Sequence, residues 1–112
     1  MENGYEVLKS HYEEIISKVT SVSEVFKKEN ASIEDESPWT INPMVSFING
    51  NASIGLSYSE EDELTGETDR PWMWWVENVA EDEYHRFATF EEALADWVAN
   101  LPRIDRLAKK VA

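Results

Sequence analysis

Catalysis needs nucleophiles, bases, metal ligands or phosphate cradles at workable spacing, and this chain offers few. Its two histidines are His11 and His85, and neither belongs to a spacing such as H-x-x-x-H that sets two imidazoles on one helix face. The absence of cysteine excludes a thiol nucleophile, thiolate zinc sites and a disulfide scaffold, and fits a reducing cytoplasm. The four glycines are scattered and form no phosphate-binding loop. Acids are so plentiful that some pair always resembles a general acid and base, which removes the information from any such pair. The run Glu60-Glu61-Asp62-Glu63 lacks the alternate-position spacing and the glycine of an EF-hand loop. No catalytic, cofactor or metal residue is assigned. The expectation is a chain that is not an enzyme, with a small enzyme or metal binder as the last alternative.

The elements that hold these residues must fit one modest core, because 112 residues make a single small domain. Tyr5, Leu8, Tyr12, Ile15, Val19, Val22 and Phe26 repeat at alternating steps of three and four, which predicts a long N-terminal helix over 5–28. The Thr20-Ser21-Val22-Ser23 stretch is poor in helix propensity and marks a place for a bend. An overhanging end of so long a helix would need a partner, so homodimerisation through this helix is one expectation. Residues 29–38 read as an acidic linker ending in proline.

Two alternating runs flank Asn49-Gly50, the preferred pair for a type I′ hairpin turn. With those two as the loop, Ile48 pairs with Asn51, Phe47 with Ala52 and Val45 with Ile54. Val45, Phe47, Ala52, Ile54, Leu56 and Tyr58 then share one face, while Met44 and Ile48 fall on the other. Trp72 to Val79 reads as a third strand and Tyr84 to Ala88 as a short fourth, placing the sheet over about 40–88. Thr89 with Glu92 forms a capping box, and Phe90, Ala93, Leu94, Trp97, Val98 and Leu101 follow at helical spacing. Pro102 is expected to end that helix and leave a short basic helical tail over 103–111. The fold class is α+β: an antiparallel three- or four-stranded meander with helices on one face, in the order α-β-β-β(-β)-α(-α).

A formal charge of −13 is unevenly spread. Residues 29–100 carry 17 acids against only Arg70 and Arg86, while residues 101–112 are net +3. So few bases argue against direct nucleic-acid binding, which needs Lys and Arg to release counterions from phosphates. No apolar run is long enough to cross a membrane and the polar N-terminus is not a secretory signal, so a cytoplasmic protein without membrane contact is expected. The order α-β-β-β-α resembles that of the double-stranded-RNA-binding domain, but Glu91 and Glu92 stand where that family depends on lysines, so its function is not carried over.

What remains is protein binding. Strand alternation cannot send Trp72, Trp74 and Trp75 to one side, so either helices bury all three or one of them joins Met44, Ile48 and Met73 in an apolar patch. The candidate partner-binding residues are therefore Met44, Ile48, Met73 and Trp75 on the sheet, with Glu60, Glu61, Asp62, Glu63, Glu81, Asp82 and Glu83 in acidic loops. They point to a protein partner with a basic surface. The alternative is a nucleic-acid-mimicking inhibitor, of phage, anti-restriction or immunity type, acting on a basic nuclease or DNA- or RNA-binding protein.

Overall fold

A computed structural model describes residues 4–28, 43–59 and 69–111. The chain begins with α1 (Gly4–Ser10) and α2 (Tyr12–Val22), which follow one another through a bend at His11 (φ −106°, ψ 8°). Hydrogen bonding continues across the bend, from His11 N–H to the Val7 carbonyl and from Ile15 N–H to the His11 carbonyl. The apolar stripe does face the core, with Leu8, Ile15 and Val19 fully buried.

The predicted helix over 5–28 stops early, at Val22. Hydroxyls near its end bond to backbone carbonyls, Thr20 to Ile16 at 2.7 Å and Ser21 to Lys18 at 2.9 Å, an alternative hydrogen bonding that weakens helices. Ser23 then adopts extended backbone (φ −89°, ψ 128°). The carboxylate of Asp105, from the last helix, accepts the Ser23 hydroxyl at 2.7 Å and the Glu24 N–H at 2.8 Å. The chain is thereby turned into a two-residue strand, β1 (Lys27–Lys28). The linker expected over 29–38 lies outside the described residues.

The sheet continues with β2 (Met44–Asn49), β3 (Ala52–Tyr58), β4 (Trp72–Glu77) and β5 (Glu83–Phe87), antiparallel throughout in the order β1-β2-β3-β4-β5. The α+β meander is as expected, extended by the unforeseen β1. The hairpin register is not: Asn49 pairs with Ala52, Phe47 with Ile54 and Val45 with Leu56. Gly50 and Asn51 are therefore the two loop residues. Gly50 has φ +60° and Asn51 does not have positive φ, which is the type II′ pattern with glycine in the first central position. The slip is an even two residues, so every side chain keeps the face assigned to it.

The last helix, α3, runs unbroken from Phe90 to Val111 through Pro102. The expected stop at Pro102 is overridden because Trp97, Leu101, Ile104 and Ala108, on both sides of it, form one buried stripe. The proline costs its own hydrogen bond and nothing in the packing ends the helix there. All three helices share one core with the inner face of the sheet, which carries Phe47, Ile54, Leu56, Trp72 and Trp74. Aromatic rings meet edge-on within it: Trp72 lies 4.8 Å from Tyr58 and 5.2 Å from Phe90, centroid to centroid.

Trp75 points to the opposite face and is also buried, at 7% exposure. Its indole lies over Gly55 on the neighbouring strand, and Nε1–H donates to Ser53 Oγ at 3.3 Å. A Cβ at position 55 would sit 2.1 Å from the ring. Gly55→Ala should lift the indole and destabilise the fold by about 1–3 kcal/mol, the usual cost of overpacking. Urea denaturation with near-ultraviolet circular dichroism measures this; unchanged stability would show that Trp75 does not depend on the glycine.

Candidate interaction surfaces

The sheet's outer face gathers four of the candidate residues. Register places Met44 and Ile48 of β2, Met73 and Trp75 of β4, and Tyr84 and Arg86 of β5 on it. This settles the strand alternation: Trp75 joins the methionines, while Trp72 and Trp74 belong to the core. The face is not an open apolar patch, however. Met44, Ile48 and Met73 are half-buried and Trp75 is only 7% exposed. Tyr84, at 54%, is the exposed large hydrophobic residue among those described. Its hydroxyl pKa is raised, by local desolvation first and then by the charge of Glu77 and Asp82.

The three acids of the β4–β5 turn have different roles. Glu81 is exposed. Asp82 accepts the Asn78 N–H at 3.0 Å, in a turn where Asn78 takes positive φ (63°) and its amide donates to the Asn51 carbonyl. Glu83 faces the helix side and is engaged by Arg103, whose two terminal nitrogens each donate at 2.9 Å. His85 shares the same carboxylate at 3.0 Å and stacks on Trp74 with 4.3 Å between centroids. Trp74 in turn donates its indole N–H to Asp96 of α3 at 2.8 Å. Glu83 is thus a clasp between β5 and α3 rather than a free surface charge. Glu60, Glu61, Asp62 and Glu63 lie outside the described residues.

A third surface was not foreseen. The ring of His11 stands 4.7 Å from that of Phe90 at the start of α3, and Ser23 meets Asp105 near its far end. Helices α2 and α3 therefore run in the same direction, with a cavity of about 350 Å³ between them. Its apolar lining includes Val22, Phe90, Leu94 and Val98. At its rim Glu14 holds His11 at 3.1 Å and Lys18 at 3.2 Å, contacts that lower the Glu14 pKa, the His11 hydrogen bond most. At Thr89 the capping half of the expected box is present: the Thr89 hydroxyl accepts the Glu92 N–H at 3.2 Å, and it donates to the Glu92 carboxylate at 3.0 Å in place of the Thr89 N–H. The Glu14–Lys18 spacing is a visible i, i+4 pair, but its meeting with α3 follows from tertiary packing alone.

No group of three or more side chains able to hold a metal ion occurs among the described residues. No helix among them is long and apolar enough to cross a membrane. No protein-family model, no curated protein and no solved structure matches the chain.

The Glu83 clasp makes a pH prediction. Arg103 first, and His85 after it, hold the Glu83 carboxyl below its ordinary pKa, against the opposing effect of desolvation. A carboxyl depressed in the folded state stabilises at neutral pH, and that stabilisation is lost as pH falls from roughly 4.3 through the folded value. Glu83→Gln should therefore be less stable than wild type at pH 6, with the gap closing by pH 3 in urea titrations. A gap independent of pH would assign the loss to geometry alone.

Proposed function

We propose that the chain is a small, non-enzymatic, cytoplasmic protein-interaction module whose partner carries a basic surface. The observation that supports it is an imbalance in how surface charge is matched. Several of the few bases already have partners: Lys18 on Glu14, Arg103 on Glu83 and Lys109 on Glu24. Arg86 is held by the carbonyls of Arg70 and Ser59. Glu13, Glu81, Glu91 and Glu92 are exposed and make no ion pair. A partner's Lys and Arg would thus meet carboxylates not already neutralised, in a chain of net charge −13. Complementary fields of this kind speed association and select partners more than they add affinity.

The test is an affinity capture from the native host, then binding measurements on the purified partner at 50 and 300 mM salt. Screening at the higher salt should weaken binding by about tenfold or more. Neutralising Glu60, Glu61, Asp62 and Glu63 to Gln or Asn should weaken it in the same direction. Binding that ignores salt but is lost in Trp75→Ala would move the interface to the outer sheet face. Displacement of the chain by duplex DNA would favour the nucleic-acid-mimic alternative.

A further inference from the structure

The two edges of the sheet differ in what they offer a further strand. At one edge β1 is two residues long, and so short an edge gives a second strand little to pair with. At the other, β5 runs for five residues in unbroken register with β4, without proline or bulge. Register also fixes which of its backbone groups are free. Ser59 N–H donates to the Pro71 carbonyl, and bonded and non-bonded pairs alternate along an antiparallel ladder, so Pro71, Met73, Trp75 and Glu77 bond toward β3. Trp72, Trp74 and Val76 then bond toward β5, where their partners are Phe87, His85 and Glu83. The N–H and C=O groups of Tyr84 and Arg86 point the other way, and no described backbone group meets them.

Charged side chains guard an edge when they project across it, and those of β5 are folded back. Glu83 is taken up by Arg103, Arg86 by the carbonyls of Arg70 and Ser59, and His85 by Glu83 and Trp74. Tyr84 is left exposed, and the charge around its hydroxyl is negative, from Glu77 and Asp82. Glu77, Glu81 and Asp82 make no ion pair among the described residues.

We propose that the free edge of β5 receives an extended segment of the partner as a further strand of the sheet, with Lys or Arg opposite Tyr84 and Asp82. This docking rests on the reading of the chain as a binder of a basic protein, and it names where and in what conformation that partner binds. An extended segment suits the site because the backbones of Tyr84 and Arg86 present donors and acceptors at strand spacing, the template that strand addition uses. A basic residue opposite Tyr84 suits it because such a cation lies over the phenol ring and within reach of Glu77. A second copy of the chain, also of charge −13, suits it less, since like fields repel.

The experiment titrates the full chain, labelled with nitrogen-15, with the synthetic peptide Thr-Val-Thr-Val-Arg-Val-Arg, whose antiparallel docking sets its Arg residues opposite Tyr84 and Asp82. In the free chain the amides of Tyr84 and Arg86 should exchange with solvent fast and those of Glu83, His85 and Phe87 slowly, and the peptide should slow the first two by about tenfold or more. The same peptide N-methylated along its backbone keeps its charge but loses its donors, and should bind about tenfold or more weakly. Tyr84→Pro removes an edge donor and no ladder bond, a change that edge strands tolerate, and should lower affinity as far. Should that variant fold poorly, the methylated peptide on the wild-type chain carries the test. Protection of Tyr84 and Arg86 in the free chain, equal binding of the two peptides, or wild-type affinity in a folded Tyr84→Pro variant would overturn the proposal. Self-association of the chain that is lost in Tyr84→Pro would assign the edge to a second copy and overturn it as well. Salt-sensitive binding of the native partner retained by Tyr84→Pro would overturn the edge while leaving the basic-partner reading in place. Native binding insensitive to salt would overturn that reading instead.

Discussion

A carboxylate taken out of water is unfavourable unless hydrogen bonds replace its hydration, and the fold is organised around one that meets this condition. Asp105 is 4% exposed. It accepts the hydroxyl of Ser23 and the N–H of Glu24, and the Ser23 oxygen accepts the N–H of Phe26. These three bonds satisfy the backbone where α2 ends, turn the chain toward β1 and fix the end of α2 against α3. The common direction of the two helices, and with it the groove between them, follows from this contact together with the His11–Phe90 packing at the other end.

The sheet separates two kinds of burial. On the inner face, Trp72 and Trp74 are covered by helices, and the Trp74 indole is satisfied by Asp96. On the outer face the Trp75 indole lies against Gly55 of the neighbouring strand and donates to Ser53. Polar groups inside are otherwise well matched, Trp97 Nε1 being the buried side-chain nitrogen left without a partner among the described residues. The charge pattern reflects the same economy. Arg103, Lys18 and Lys109 each secure one helix to a neighbour or to its own preceding turn, while Glu13, Glu81, Glu91 and Glu92 are exposed.

Much of this was legible in the residues and some was not, for physical reasons. Periodicity shows Leu8, Ile15 and Val19 as core, and alternation shows which residues share each sheet face. The Thr89 and Glu92 spacing marks the start of α3. The end of α2 was less legible because the heptad stripe continues through Val22 to Phe26, while the contact that stops the helix comes from Asp105, far along the chain. Pro102 misled because local propensity reads it as a stop, whereas the buried stripe from Trp97 to Ala108 outweighs one lost hydrogen bond. The hairpin turn was displaced because Asn49-Gly50 and Gly50-Asn51 both satisfy two-residue turns, and an even slip leaves the hydrophobic pattern unchanged. Among the candidate binding residues, Glu83 looked like its neighbours Glu81 and Asp82. Only the approach of Arg103 separates its role from theirs.

The claim on which the arrangement rests is that Ser23 and Asp105 act as a unit joining α2 to α3. A double-mutant cycle on Ser23→Ala and Asp105→Ala, read by chemical denaturation, measures it directly. Each single change should be destabilising by about 1–3 kcal/mol, since buried hydrogen-bonding groups lose partners. The pair should show a coupling energy of about 1 kcal/mol or more. Strict additivity of the two changes would contradict the claim and leave the helices held by apolar packing alone.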